Sequence, residues 1–306
     1  MCIFALKMKQ LSILIPTYND ACTALVATLQ QQAEMLGTAY EIIVADDGST
    51  RQDTILQNRA INDIPNCQYI ERKENMGRAA IRNFLATQAR YPFLLFIDAD
   101  MVVPHNDFLR RYAEHPCTTI IDGGVIIRGR GNAVNTLRYR YEKNAEKQHL
   151  TEKRRQHPYQ HFHTANVLVS RDIMLTHPFD IRFRHYGYED VFFGQQMLQH
   201  HIIVEHIDNP LSFEVFEDNV SFISKTEEGL RTLHHFQDEL AGYSGLLNAV
   251  RQLQSWKVLP VVRLWHLLMG KKERALLCSG RAPLWMFTLY RLGYFLSINN
   301  SDLPQE

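Results

Sequence analysis

The sequence predicts an α/β fold: a mostly parallel sheet sandwiched by helices, followed by a helical C-terminal region. Three observations predict it. Short apolar runs alternate with segments of helical periodicity over the first third of the chain. Each run stops at a polar or glycine-containing loop. The run at 93–97 ends at two carboxylates, Asp98 and Asp100, spaced one residue apart. That run lacks helical spacing and reads as a strand buried on both faces. In open α/β sheets ligands bind beyond the carboxyl ends of the strands, so both carboxylates are placed to meet one. On an extended backbone Asp98 and Asp100 point the same way while Ala99 turns aside. Two hard oxygen donors on one side suit Mg2+ or Mn2+ bound against a diphosphate.

The elements follow in order. Residues 11–15 read as a strand running into Pro16-Thr17-Tyr18-Asn19-Asp20. Cys22, Leu25, Val26, Leu29, Ala33 and Leu36 then recur at helical spacing, with Asn19 or Asp20 as N-cap. Residues 41–45 repeat the arrangement before Asp46-Asp47-Gly48-Ser49-Thr50, with a helix after Thr50. A third strand, 68–71, leads through Asn75-Met76-Gly77-Arg78 to a helix carrying Ile81, Phe84, Leu85 and Ala89. Ordinary turn chemistry explains any one of these loops. It does not explain their repetition at successive strand ends. No G-x-G-x-x-G follows the first strand and there is no P-loop.

After Met101 the pattern loosens. Strands are expected at 119–122 and 125–127 around Gly123-Gly124, a basic helix at 134–147, and a strand at 167–169. Between the last two lies a segment with His157, His161 and His163. No second ligand cluster of matching spacing accompanies these histidines, so they read as a loop rather than a zinc site. Glu189 and Asp190 fall in the first turn of an expected helix, where acids complement the helix dipole. Residues 202–206 form a strand that leads into a loop containing Phe213.

The 306 residues allow one large domain or two, and 33 Lys+Arg against 33 Asp+Glu leave no net charge, which excludes a bulk nucleic-acid binder. The five cysteines, Cys2, Cys22, Cys67, Cys117 and Cys278, form no CxxC pair and fit a reducing compartment. Lys7 and Lys9 interrupt the apolar N-terminus, so 1–10 does not read as a signal peptide, and a cytoplasmic location is expected.

Four segments, Ser12-Ile13-Leu14-Ile15-Pro16-Thr17-Tyr18-Asn19, Asp46-Asp47-Gly48-Ser49, Asn75-Met76-Gly77-Arg78-Ala79-Ala80-Ile81-Arg82-Asn83 and Asp98-Ala99-Asp100, stand in an order and spacing that resemble the nucleotide-sugar half of the family 2 glycosyltransferases of GT-A fold. Phe179-Asp180 and Gly187-Tyr188-Glu189-Asp190 extend the resemblance over about two thirds of the chain. These motifs in the right order are specific where each alone is weak.

The resemblance implies an inverting, metal-dependent transferase with Mn2+ or Mg2+ as cofactor. Its donor would be a nucleoside diphosphate sugar, with UDP as the expected nucleotide, and its acceptor a hydroxyl on a glycan or lipid-linked molecule of the cell surface. It implies that Pro16, Thr17 and Tyr18 line the nucleotide pocket, that Asp46 or Asp47 accepts hydrogen bonds from uracil or ribose, and that Gly77 and Arg78 run beside base and phosphates. Arg82 either reaches the diphosphate or is an exposed helix charge. Asp98, with Ala99, would approach the ribose and the metal, and Asp100 would ligate the metal. Asn166 would lie near the acceptor, Asp190 would be the general base, and Glu189 would orient the acceptor or its loop. His206 is the nearest candidate for a third metal ligand, although it also reads as a plain strand residue. The domains expected are 1–216, divided at 101 into donor and acceptor halves, and a helical region, 217–306. Two other readings stand beside this one: a nucleotidyltransferase, and a non-catalytic module that holds a membrane or a partner.

The last region carries Arg251, Lys257, Arg263, Lys271, Lys272, Arg274, Arg281 and Arg291 against Glu273 alone between 251 and 298, interleaved with Trp256, Trp265 and Trp285. Basic charge mixed with aromatic anchors is the pattern of a helix at an anionic membrane surface, here the inner face. Residues 282–298 are marginal for a span. Arg291 opens no polar face on them, so the segment is either packed into the protein or partly inserted in lipid.

Overall fold

The computed structural model describes residues 8–115, 119–129, 131–160 and 162–299. Cys2, Lys7, Cys117 and His161 lie outside the described residues. The strands are β1 (Gln10–Thr17), β2 (Ala39–Asp46), β3 (Cys67–Glu71), β4 (Phe93–Ile97), β5 (Met101–Val102), β6 (Ile120–Asp122), β7 (Val125–Ile127), β8 (Asn166–Ser170), β9 (Val204–His206) and β10 (Leu211–Phe213). The helices are α1 (Thr23–Leu36), α2 (Gln52–Arg59), α3 (Arg78–Gln88), α4 (Phe108–Glu114), α5 (Leu137–Ala145), α6 (Thr151–Gln156), α7 (Arg171–Thr176), α8 (Glu189–Gln199), α9 (Asn219–His235), α10 (Gly245–Ser255), α11 (Leu259–Cys278) and α12 (Leu284–Ser297).

The chain divides into two compact units. The first comprises 1–128, 146–184 and 193–215; the second comprises 129–145, 185–192 and 216–306. The break at 215/216 lies one residue from the expected boundary. Two short segments of the expected acceptor half, however, belong to the helical unit. Helix α8 starts in the second unit and continues into the first.

The first unit is built on a seven-stranded sheet in the order β3-β2-β1-β4-β8-β6-β9. Strands β1 to β4 are parallel, whereas β8 runs antiparallel to both of its neighbours. Alternate residues of the strands, among them Leu14, Ile43, Leu94, Phe96 and Val167, share one apolar core with Ile81 and Leu85 of α3 and Phe193 and Met197 of α8. A second sheet, β5-β10-β7, is too short to be evident from periodicity, and it places Phe213 in a strand rather than in a loop. The basic helix expected at 134–147 is confined to Leu137–Ala145, with single 3-10 turns on either side.

In the second unit α9, α11 and α12 pack together with α5. Leu137, Phe222, Leu277, Phe287 and Tyr290 form its core. Arg291 is enclosed here: its guanidinium lies over the Tyr141 and Phe287 rings and donates to the Tyr141 hydroxyl at 3.2 Å. Of the two alternatives for 282–298, the packed one therefore describes α12.

Candidate active site

The parallel strands end in three loops that brace one another. Asp47 N–H donates to the Thr17 carbonyl at 2.9 Å. Asn19, in the left-handed region at φ 59°, does not cap α1; its side-chain carbonyl accepts from the N–H groups of Thr50 and Arg51 at 2.9 Å each. Its own N–H donates to the Ser49 hydroxyl at 2.6 Å. Asp46 is buried, accepting from Ser49 N–H and from the Tyr69 hydroxyl. Asp47 is buried too. It accepts from Gly77 N–H at 2.8 Å, from Met76 N–H at 3.2 Å and from Arg72 at 2.8 Å. Burial pushes the Asp47 carboxyl up, against the lowering effect of those N–H groups and of Arg72. The two aspartates thus hold the loops in shape, and Tyr18 and the outer part of Arg78 present the exposed surface.

Gly77 sits at φ 91°, and a Cβ there would fall 2.3 Å from the Arg184 carbonyl oxygen, so only glycine fits. Arg78 and Arg82 follow one turn apart on α3, and both reach Asp98. Arg82 donates to Oδ1 at 2.5 Å and Arg78 to Oδ2 at 3.0 Å. Arg82 is 1% exposed, so it is no surface charge. Burial alone would raise the Asp98 carboxyl; the Arg82 and Arg78 guanidiniums outweigh it and hold the group below the usual carboxylate range.

Asp98 and Asp100 are not on an extended strand. Met101 N–H donates back to the Asp98 carbonyl at 3.1 Å, closing a turn between β4 and β5. Asp100 makes no ion pair among the described residues. Burial, then the charges of Asp98 and Asp20, push its carboxyl up to about 6. Asp20 is a contributor that the motifs do not single out. Among the described residues no group of three or more His, Cys, Asp and Glu is arranged to hold a metal ion. An acidic spot with few protein donors fits a cation completed by substrate phosphates, the usual situation of Mg2+. Asp100 would hold it, since both Asp98 oxygens are engaged by arginine.

Two expected residues are engaged in buried hydrogen bonds of the scaffold, Asn166 beside the Asp98 turn, opposite Ile97 of β4, and His206 farther off. Asn166 is fully buried at the start of β8, where it accepts from the Tyr112 hydroxyl at 2.8 Å and donates to the carbonyls of Gly124 at 2.8 Å and Asn209 at 2.9 Å. Its amide ties strand ends together and has no donor left for an acceptor molecule. Asn166→Ala removes three buried hydrogen bonds, although the Gly124 carbonyl keeps the Leu211 N–H at 3.1 Å and the Tyr112 hydroxyl keeps the backbone carbonyl of residue 166 at 3.4 Å; it is expected to cost about 2–3 kcal/mol, read as a lower melting temperature with the acceptor KM of the folded fraction unchanged. His206 lies in the edge strand β9, three strands from β4, with Nδ1 3.0 Å from Arg154 and 3.1 Å from Asp122 and Nε2 3.0 Å from the Pro158 carbonyl. Both ring nitrogens are occupied, which removes it as a third metal ligand.

In the second unit Glu189 and Asp190 open α8 directly after a strained turn, with Gly187 at φ 96° and Tyr188 at φ 70°. Tyr186 fixes that turn to α9: its N–H donates to Glu228 at 3.0 Å and its carbonyl accepts from Thr232 at 3.0 Å. A non-glycine residue held left-handed beside an acid pair is the kind of strain found at functional sites. Glu189 is buried, and Asp190 is half-buried and accepts from the Val191 N–H at 2.8 Å.

Residues 12–176 match the family model described as glycosyl transferase family 2. The teichoic acid poly(glycerol phosphate) polymerase of Staphylococcus epidermidis is 32% identical over 96 residues, which cover 30% of this chain and 13% of that enzyme. A chondroitin synthase of Escherichia coli is 31% identical over 134 residues, 43% of this chain and 18% of the synthase. This chain thus spans less than a fifth of either relative. Among solved structures, the mannosyltransferase PcManGT from Pyrobaculum calidifontis, in complex with GDP-Man and Mn2+, superposes with a TM-score of 0.54 at 13% identity, covering 94% of this chain and 84% of that one. That likeness concerns the fold, which is GT-A. With more than half its length in the family model and the strand-end motifs in place, the chain belongs to glycosyltransferase family 2.

Proposed function

We propose that the protein transfers a sugar, with inversion, from a nucleoside diphosphate sugar, first of all a UDP-sugar, to a hydroxyl of a glycan or lipid-linked acceptor. The observation that carries the reading is the pairing of Arg78 and Arg82 with Asp98 beside the acidic Asp100. The loop beginning at Tyr18 and the first turn of α3 receive the nucleotide, and Arg78 meets the diphosphate. A divalent cation bound through Asp100 supplies neutralisation of the charge that develops on the departing diphosphate. Asp190 accepts the acceptor's proton as its oxygen attacks the anomeric carbon, and Glu189 orients that acceptor. The sugar passes through an oxocarbenium-like transition state.

Isothermal titration with UDP, with and without Mn2+, tests the donor site. Binding is expected to require Mn2+ and to be lost in Asp100→Ala. Tighter binding of GDP would transfer the donor assignment to a guanosine sugar, and no binding of either would favour a non-catalytic module. The raised pKa adds a sign. Because a cation needs the ionised carboxylate, affinity for Mn2+ with UDP should fall about tenfold per pH unit below about 6. Without metal the folded state disfavours ionised Asp100, so that contribution to stability is lost as pH rises from the ordinary value of 3.8 through about 6. Asp100→Asn should therefore melt higher than the parent at pH 7 in chelator, and the difference should vanish near pH 4.

A further inference from the structure

Helix α11 has a packed side and an exposed apolar side. On the packed side His266, Gly270, Glu273 and Leu277 turn toward the interior of the second unit, and a Cβ on Gly293 of α12 would meet His266 at 2.6 Å. On the opposite side Val261, Leu264, Trp265 and Leu268 recur at helical spacing and are 65%, 57%, 45% and 67% exposed. Leu267, at the edge of that stripe, is 81% exposed. Among the described residues of the second unit nothing covers them. Scattered exposed leucines are ordinary, but a contiguous stripe is the mark of a docking surface.

Charge states what docks. One turn further along the same side, the stripe continues into exposed Lys271 and Lys272. Arg251, Lys257, Arg263 and Arg281 are exposed as well. Glu273, the one acid between 251 and 298, is buried and accepts from the Trp265 indole N–H at 2.7 Å. The exposed charge of this region is therefore of a single sign. No helix among the described residues is long and apolar enough to cross a membrane. We infer that the outer side of α11 is an interfacial docking surface for an anionic lipid bilayer, its apolar stripe entering the headgroup–acyl boundary and Lys271 and Lys272 meeting the anionic headgroups. Sequence alone spreads the interfacial pattern over 251–298; the structure buries the inner side of α12 and singles out the outer side of α11.

Flotation of the full-length protein with vesicles tests the surface and uses no sugar donor, so its outcome is independent of the transfer reaction. The protein is expected to float with phosphatidylcholine vesicles containing phosphatidylglycerol and to remain at the bottom with phosphatidylcholine alone. Leu264→Ser with Leu268→Ser should lower partitioning about tenfold or more, and Lys271→Glu with Lys272→Glu roughly thirtyfold on anionic vesicles. Circular dichroism melts matching the parent would show that the replaced side chains, being exposed, do not support the fold. Failure of the parent to float on anionic vesicles, or flotation unaffected by the leucine replacements, would overturn the inference. A parent dimer that the leucine replacements turn into a monomer would do so too, because a second copy would then be what covers the stripe.

Discussion

Asp190→Asn is expected to lower turnover by ~10²–10⁴-fold, the usual contribution of a general base, with UDP affinity unchanged. The substitution keeps the side chain's shape and an oxygen that can accept from the Val191 N–H, so the first turn of α8 retains its geometry. The turn before it stays fixed by the two hydrogen bonds of Tyr186 to α9. What disappears is the ability to take a proton. Single-turnover transfer, UDP titration and a thermal melt on the same preparation separate the possibilities. Slow transfer with intact binding and an unshifted melt supports the role. An equal loss of donor binding would mean that Asp190 holds the donor instead, and unchanged turnover would remove it from the chemistry.

Arg82→Met should be the most destabilising single change in the donor site. Arg82 is 1% exposed and its partner Asp98 is 16% exposed. Removing the arginine leaves a largely buried carboxylate facing only the half-exposed Arg78, and losing one member of such a pair typically costs about 3–5 kcal/mol. For a unit of this size the melting temperature should fall by on the order of 10 °C. The double change, Arg82→Met with Asp98→Asn, should recover much of that stability and none of the activity, giving a large coupling term in the cycle. Such a result would mean that the pair is retained for what it does to the donor. Independent, additive losses would argue that each side chain is held by other contacts.

Sequence reasoning reached the strand ends with little error because apolar runs and turn residues are local signals. The stretch at 93–97 became the central strand, and the site residues expected between Pro16 and Asp100 lie on the last residues of strands, on the loops after them or in the first turns of α3. Reasoning went astray where a side chain's fate is set by distant partners. The extended reading of Asp98 to Asp100 missed the return of Met101 N–H, which closes a turn. Asn166 resembles an acceptor contact, but its partners Tyr112 and Asn209 are 54 and 43 residues away. The sequence left 282–298 open between packing and lipid because it does not show that Tyr141, 150 residues upstream, gives Arg291 an aromatic face and a hydrogen bond. No window on the sequence contains those pairs.

The cross-bracing by Asn19 bears on how donor preference can be changed in this scaffold. The segment after β1 and the segment after β2 share the hydrogen bonds of one asparagine, whose oxygen serves Thr50 and Arg51 while its own N–H is satisfied by Ser49. The two segments therefore form a single hydrogen-bonded unit. A chimera that imports 16–20 from another transferase without its cognate 46–51 would strand donors and acceptors on both sides of the graft, whereas importing the two together carries the brace along with the new surface.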